Sequence, residues 1–103
     1  MDIYLKNRAG TVNAKATFDP DDGSVIVQPG SLVSKELSNA PTFRSRKAMM
    51  KRREGNVING VLQKEIRFSS LSTSATFVVG SNRDGWISWR NAEGITMAEL
   101  FHR

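Results

Sequence analysis

The spacing of apolar side chains in the N-terminal part of the chain predicts β-strands. Apolar and polar residues alternate over 13–18, and short runs suited to strands occupy 3–7 and 24–28. Because successive side chains on a strand point to opposite faces, such alternation is typical of a strand with one buried face. The Pro-Asp-Asp-Gly sequence at 20–23 favours a tight turn between the second and third runs. We therefore expect an antiparallel hairpin that ends at the Pro-Gly pair at 29–30.

A surface helix is predicted over residues 42–54. Arg, Lys, Ala and Met are good helix formers; they follow Thr42 as a candidate N-cap, and Gly55 is typical of a helix end. Phe43 and Met50 fall on one side, while basic residues occupy most of the remaining circumference. This narrow apolar stripe predicts a helix that lies on the surface of the domain.

A tight turn and a half-buried strand are predicted next. The Asn-Gly pair at 59–60 lies between apolar residues and is a strong signal for a hairpin turn. Beyond it, Leu62, Ile66 and Phe68 share one face of an extended segment. This alternation predicts a single strand over 62–68.

The segment FSSLSTSATFVVGSNRDGWISWR (68–90) combines many small hydroxylated residues with both tryptophans of the chain. Leu71, Ala75 and Val78 recur at helical spacing between a candidate serine cap and a terminal glycine. The run Thr-Phe-Val-Val would also suit a strand, because β-branched residues favour extended backbone. The periodicity outweighs this propensity and predicts a helix over 69–80.

The two tryptophans are expected on a strand, WISWR, that follows a turn at 82–85. On that strand Trp89 shares a face with Ile87 and is expected in the core. Trp86 shares the other face with Ser88, and two interpretations of it stay open. It is either an exposed platform on which a nucleic-acid base could stack, or a side chain packed under the helix.

These elements predict an α+β fold, with a small antiparallel sheet that begins with an N-terminal hairpin, two main helices packed on it, and a short C-terminal helix capped by Thr96. The 103 residues are expected to form a single domain, 1–103. No apolar run is long enough to span a bilayer, and the N-terminus lacks a signal-peptide pattern. No membrane partner is therefore expected, and the absence of cysteine fits a reducing, cytoplasmic location.

The net charge of +5 is concentrated in one segment. Six of the fifteen basic residues lie within 44–53 without an acidic one, and the remaining nine are balanced by ten acidic residues. The six are Arg44, Arg46, Lys47, Lys51, Arg52 and Arg53. A patch of this density is typical of a polyanion site, so nucleic acid is the expected partner. A solvated helix face that keeps the protein soluble is the alternative.

Catalytic and metal chemistry find little support in the sequence. His102 is the only histidine and there is no cysteine, so a transition-metal site is not expected. The aspartates at 19–22 lack the ligand spacing of a calcium-binding loop, and a turn accounts for them. No phosphate-binding glycine loop occurs. We therefore expect a protein that is not an enzyme, with no catalytic residue, no metal and no cofactor.

Residues 68–100 resemble the signature of a bacterial domain family of uncharacterised function. That family is often appended to the C-terminus of GIY-YIG-type nucleases and of restriction–modification proteins. Its pattern is approximately F-S-S-P-S-A-A-A, a glycine, N-G-W with a further aromatic, and D-G-x-T-L-x-E-L. The matching positions are Phe68, Ser69, Ser70, Ser72, Ala75, Gly80, Gly85, Trp86, Trp89, Gly94, Thr96, Glu99 and Leu100.

The upstream half extends the resemblance over nearly the whole chain. The hairpin at 13–31 is similar to the family's D-A-x-G hairpin with a V-x-x-G-S element, and 46–57 stands where the family has R-x-x-L and Gly-x-Ile. The chain is also similar to the restriction-enzyme adenine methylase associated domain, which has been proposed to recognise DNA or modified adenine. Leu71 stands in place of Pro and Asp84 in place of Asn, and the dense basic run at 44–53 is not a family feature.

The leading hypothesis is a non-catalytic DNA-binding accessory domain of restriction–modification or nuclease systems. The basic segment would hold phosphates, while the serines that begin the 69–80 helix and the 82–86 turn would touch a phosphate or a base, including a modified base. The candidate residues are Arg44, Arg46, Lys47, Lys51, Arg52, Arg53, Ser70, Ser72, Asn82, Arg83 and Trp86. Helix capping alone is the alternative role of the serines.

The second hypothesis is a protein-interaction module that docks to a nuclease or methylase subunit. It predicts an exposed apolar patch rather than a coherent basic face. The sequence gives neither the oligomeric state nor a preference for single-stranded or double-stranded nucleic acid.

Overall fold

The N-terminal hairpin forms as the alternation predicts, and the predicted α+β fold class is confirmed. The computed structural model describes residues 1–103. Its elements are β1 (Asp2–Lys6), β2 (Asn13–Phe18), β3 (Val25–Val27), α1 (Arg46–Arg53), β4 (Val57–Ile58), β5 (Val61–Leu62), β6 (Ile66–Phe68), α2 (Leu71–Val79), α3 (Gly85–Ser88) and α4 (Met97–Leu100). Four strands form an antiparallel sheet in the order β1-β2-β3-β6, and β4 pairs with β5 in a separate two-stranded hairpin. None of the helices is long and apolar enough to cross a membrane.

The buried face of the sheet follows from the alternation along β1 and β2. Ile3 and Leu5 are buried on β1, and Ala14, Ala16 and Phe18 are buried on β2. The α2 helix covers this face, with the Phe77 ring centroid 5.0 Å from that of Phe68 on β6. The α2 helix is buried around most of its circumference, so its sequence does not have to divide into an apolar face and a polar face.

The predicted strand over 62–68 is two strands, and the prediction of one continuous strand is wrong. The Leu62 N–H donates to Ser31, whereas Ile66 on β6 pairs with Val27 on β3. Pro29, which has no N–H, and Gly30 in a left-handed conformation separate these two partner positions. The neighbouring segment of the chain turns at these two residues, so residues 62–68 cannot pair with it along their whole length.

The α1 helix begins later than predicted and Thr42 is not its N-cap. Residues 42–45 form turns instead, with Phe43 N–H bonded to Ala40 and Arg46 N–H bonded to Phe43. Ser45 occupies the N-cap position without a side-chain capping bond. The predicted end at Gly55 is confirmed, since the helix stops at Arg53 and Gly55 has a φ of 73°.

The tryptophan segment is a helical turn, so the predicted strand over 86–90 is wrong. The Asp84 carboxylate accepts a hydrogen bond from the Trp86 N–H at 2.9 Å and caps α3. The helical turn exposes Ile87 and buries Trp89, which is fully buried as predicted. The capped C-terminal helix is confirmed, because the Thr96 hydroxyl accepts a hydrogen bond from the Glu99 N–H.

Candidate nucleic-acid interface

The α1 helix divides its side chains between a buried face and an exposed basic face. Met49 and Arg53 are the buried residues, one helical turn apart. At about 100° per residue, Lys47 and Lys51 lie on the opposite side of the helix. Both lysines are exposed, and so is Arg44, which precedes the helix. These three residues, Arg44, Lys47 and Lys51, are called the α1 cations below.

The other three basic residues of the segment bind the protein's own carbonyl groups. Arg46 is half-buried and donates from Nε to the Ser38 carbonyl at 3.1 Å. Arg52 is exposed, yet its guanidinium donates to the Arg67 carbonyl at 2.6 Å and lies 4.4 Å from the Phe68 ring centroid. The guanidinium groups of Arg46 and Arg52 therefore already make hydrogen bonds within the protein, and only part of each is available to a ligand.

Arg53 is a structural residue at the centre of three segments. Only 9% exposed, it donates to the Ser34 carbonyl at 2.5 Å, the Ser34 hydroxyl at 3.0 Å and the Phe77 carbonyl at 2.5 Å. Phe77 belongs to the last turn of α2, where carbonyl groups lack partners within the helix. Burial lowers the pKa of Arg53 to about 10, so it stays charged at neutral pH. Arg53 therefore caps α2 and is not free to contact a phosphate.

Asn82 and Arg83 lie beside the basic segment, although some forty residues separate them in sequence. The Asn82 Nδ2 donates to the Thr42 carbonyl at 2.9 Å, just before Arg44. Arg83 is exposed, and its side chain donates weakly to the Asn82 carbonyl at 3.4 Å. The fold thus brings these two predicted residues next to the α1 cations.

Ser70 and Ser72 lie at the opposite end of α2 and serve the fold. The Ser70 hydroxyl accepts from the Thr73 N–H at 3.1 Å and caps α2, as predicted. The Ser72 hydroxyl accepts from the Gly85 N–H at 2.9 Å and ties α3 to α2. At about 1.5 Å of rise per residue, these serines lie about 8–11 Å along the axis from Phe77, the residue of α2 that Arg53 contacts.

Gly85 explains why the signature has a glycine before the tryptophan. A Cβ at this position would overlap the backbone of Leu71 and Ser72. The start of α3 therefore packs directly on the first turn of α2, at a distance that no side chain permits. Trp89 strengthens this junction, since its Nε1 donates to the Ser74 hydroxyl at 3.0 Å and to the Leu71 carbonyl at 3.2 Å.

Trp86 is half-buried at the same end of α2. Its ring makes edge-on contacts with Phe18 and Phe101, with centroids 6.4 and 6.2 Å apart. The Arg103 guanidinium lies 4.5 Å from the centre of the Trp86 ring. A base would have to displace Arg103 in order to stack on this face.

The predicted residues thus form two groups at opposite ends of α2. The α1 cations, Asn82 and Arg83 lie towards its C-terminal end, while Ser70, Ser72 and Trp86 lie at its N-terminal end. Lys6 and Arg90 join Arg83 at the edge of the sheet, and sequence reasoning missed both because each is an isolated cation in sequence. No group of three His, Asp or Glu side chains is placed to hold a metal ion.

The fold and its surface define a small α+β domain with an exposed basic helix. A family model described as Domain of unknown function (DUF4357) matches residues 3–101, so the chain belongs to that family. No curated protein and no solved structure is significantly similar to the chain.

Proposed function

We propose that this chain is a non-catalytic, cytoplasmic accessory domain that binds DNA through the phosphate backbone. The α1 cations make the contact, and they do so without reading a base sequence. The association with nuclease or restriction–modification systems rests on the resemblance of residues 68–100 to domains found there.

The observation that carries the proposal is the absence of carboxylate partners on the exposed face of α1. The protein has two ion pairs, Lys15 with Asp2 and Arg67 with Asp22, and neither includes an α1 cation. Three exposed positive charges without neutralising partners attract a polyanion and release its counterions on binding. Trp86 contributes no base contact in this proposal, because Arg103 covers its ring.

The test is the binding of a fluorescein-labelled DNA duplex at increasing salt concentration. We expect the logarithm of affinity to fall linearly with the logarithm of salt. The triple variant Arg44→Gln, Lys47→Gln and Lys51→Gln removes three phosphate contacts, so the slope should become shallower by about 2.7.

The matched control removes one arginine and two lysines elsewhere, with Arg67→Gln, Lys15→Gln and Lys64→Gln. It has the same net charge as the test variant, but it should keep most of the slope because these residues lie outside α1. Equal losses in the two variants would show that net charge alone drives binding. No binding by the unaltered protein at about 50 mM salt would overturn the proposal.

Docking to a nuclease or methylase subunit remains the alternative hypothesis. The exposed large apolar side chains are Met1, Met50, Ile58, Ile87, Ile95, Leu100 and Phe101. They come from separate segments along the chain, and the structure gives no specific reason to prefer this function.

A further inference from the structure

Two adjoining clefts lie at the edge of the sheet, beside β1. The first has a volume of about 370 Å³ and is lined by Arg83 and Ile87 among others. The second has a volume of about 330 Å³ and includes Tyr4. Lys6, Ser88 and Arg90 line both clefts, so the two lie side by side. This feature is called the edge groove below.

The edge groove is positively charged. Lys6, Arg83 and Arg90 line it, and no acidic residue does. None of the three takes part in an ion pair; the guanidinium of Arg90 donates only to a neutral backbone carbonyl, that of Gly94 at 2.7 Å. By contrast, a larger cleft of about 570 Å³ beside α1 includes Glu36 and Glu54. Charge of one sign in a concave site concentrates a ligand of opposite charge.

The sheet itself separates charges of opposite sign. Asp2 at one end of β1 pairs with Thr17, close to the aspartate-rich turn at 19–22. Lys6 at the other end of β1 pairs with Asn13 and faces the edge groove. Because β1 has five residues, about 13 Å separates these ends. Because Asp2 and Asp22 at the opposite end are paired with Lys15 and Arg67, the unpaired cations of the groove make it the more favourable end for an anionic chain.

The edge groove is connected to the α1 cations through one turn. Asn82 contacts the Thr42 carbonyl next to Arg44, and the following residue, Arg83, lines the groove. A single phosphate backbone can therefore follow the path from α1 over this turn to the edge of the sheet.

The shape and the apolar side chains of the groove favour an unpaired strand. Ile87 is 60% exposed, and Tyr4 is half-buried in the second cleft. A base can stack on such side chains only when its face is not covered by neighbouring base pairs. A cleft of this volume admits a nucleotide, whereas a duplex would rest on its rim.

We propose that the edge groove binds a single-stranded segment of nucleic acid, with Lys6, Arg83 and Arg90 on its phosphates and Tyr4 and Ile87 against its bases. The proposal rests on the function proposed above and adds the strand form of the ligand. Duplex contacts are made by α1, and the edge groove takes an unpaired strand that continues from it.

The test compares an oligothymidine of about 12 nucleotides with a duplex of the same length. The variant Lys6→Gln with Arg83→Gln removes two single-strand phosphate contacts. Its salt slope on the single strand should be shallower by about 1.4, which corresponds to about 25-fold weaker binding at about 0.1 M salt. Its duplex affinity should change less than about twofold. The matched control is Lys64→Gln with Arg67→Gln, which removes the same two charges outside both surfaces.

A second variant tests the groove without removing a cation. Ile87→Glu places a carboxylate between the groove cations at an exposed position, where folding should be preserved. It should weaken single-strand binding by at least about fivefold, the effect of one lost phosphate contact at about 0.1 M salt. Thermal unfolding of each variant checks that the fold is intact.

The outcomes separate the two proposals. If the unaltered protein binds neither ligand, the proposed function fails. If it binds DNA and the α1 variant weakens binding, but the groove variants match their control on the single strand, only the groove proposal is overturned. Equal weakening on single strand and duplex would also overturn it, because the groove would then be a general phosphate contact.

Discussion

The two ends of α2 are held in place by different kinds of interaction. At the C-terminal end, the charged Arg53 side chain binds the Phe77 and Ser34 carbonyl groups. At the N-terminal end, Gly85 allows direct backbone contact and Trp89 fills the core, so packing dominates. The hydrogen bonds of a long side chain tolerate small movements of the backbone. Direct contact between two backbone segments, by contrast, leaves no room for an added atom.

This difference shows which part of the chain is structural. Four residues of the family signature, Ser70, Ser72, Gly85 and Trp89, hold the N-terminal end of α2. The exposed cations lie towards the other end and at the sheet edge. These signature residues therefore serve the fold, and the exposed cations of the proposed binding surfaces lie outside the signature.

The largest effect is expected from Gly85→Ala at the N-terminal end of α2. The new Cβ overlaps backbone atoms, which cannot move aside as a flexible side chain can, so the free energy of unfolding should fall by about 3 kcal/mol. Urea denaturation measures this loss. The control is Gly30→Ala, where nothing lies within 4 Å and only the φ of 87° is unfavourable. It should cost about 1–2 kcal/mol, and an equal cost at both glycines would refute the close-packing explanation.

The next effect is expected from Arg53→Met at the C-terminal end of α2. The substitution leaves the Ser34 and Phe77 carbonyl groups without their donor, but it also removes the cost of burying a charge. We expect a net loss of about 2 kcal/mol in the free energy of unfolding.

Arg52→Met is the matched control for Arg53, because Arg52 is its exposed neighbour on the same helix. It should cost less than about 1 kcal/mol, since a cation over an aromatic ring contributes little at an exposed site. In the duplex-binding measurement, Arg53→Met should leave the salt slope unchanged where the protein is folded. A shallower slope would show that Arg53 does contact phosphate.

Local signals in the sequence predicted much of the fold. The turn at Asn59 and Gly60 forms with positive φ at both residues, as a two-residue hairpin requires. The Ser70 cap and the Gly80 end of α2 are likewise properties of a few adjacent residues. Such features depend on short stretches of backbone, so they can be read without knowing the tertiary structure.

The remaining features depend on contacts between distant segments. The burial of Arg53 requires carbonyl groups from Ser34 and Phe77, and nothing next to Arg53 in the sequence indicates them. The edge groove is assembled from Lys6, Arg83 and Arg90, which no motif connects. The α3 turn was missed because the Asp84 cap outweighs the strand propensity of a four-residue segment.

The smallest effect is expected at the aspartate-rich turn, which faces the N-terminal end of α2 across a cleft lined by Gly23 and Ser69. Hydrogen bonds from Ser24, with a smaller contribution from Arg67, hold the pKa of Asp22 below its usual 3.8. A carboxyl whose pKa is lowered by folding stabilises the folded state when ionised. This stabilisation is complete above the unfolded value and is lost as the pH falls through the lower, folded value.

The measurement is the melting temperature of the protein and of Asp22→Asn between about pH 6 and pH 2. The unaltered protein should be the more stable at the upper end, and the difference between the two should shrink as the acid end is approached. Asp21→Asn is the control, because it removes the same charge from the same turn while the charged Asp22 still accepts from the Ser24 N–H at 2.8 Å. If Asp21→Asn and Asp22→Asn behave alike over this range, the effect belongs to the charge of the turn and not to the Ser24 contact.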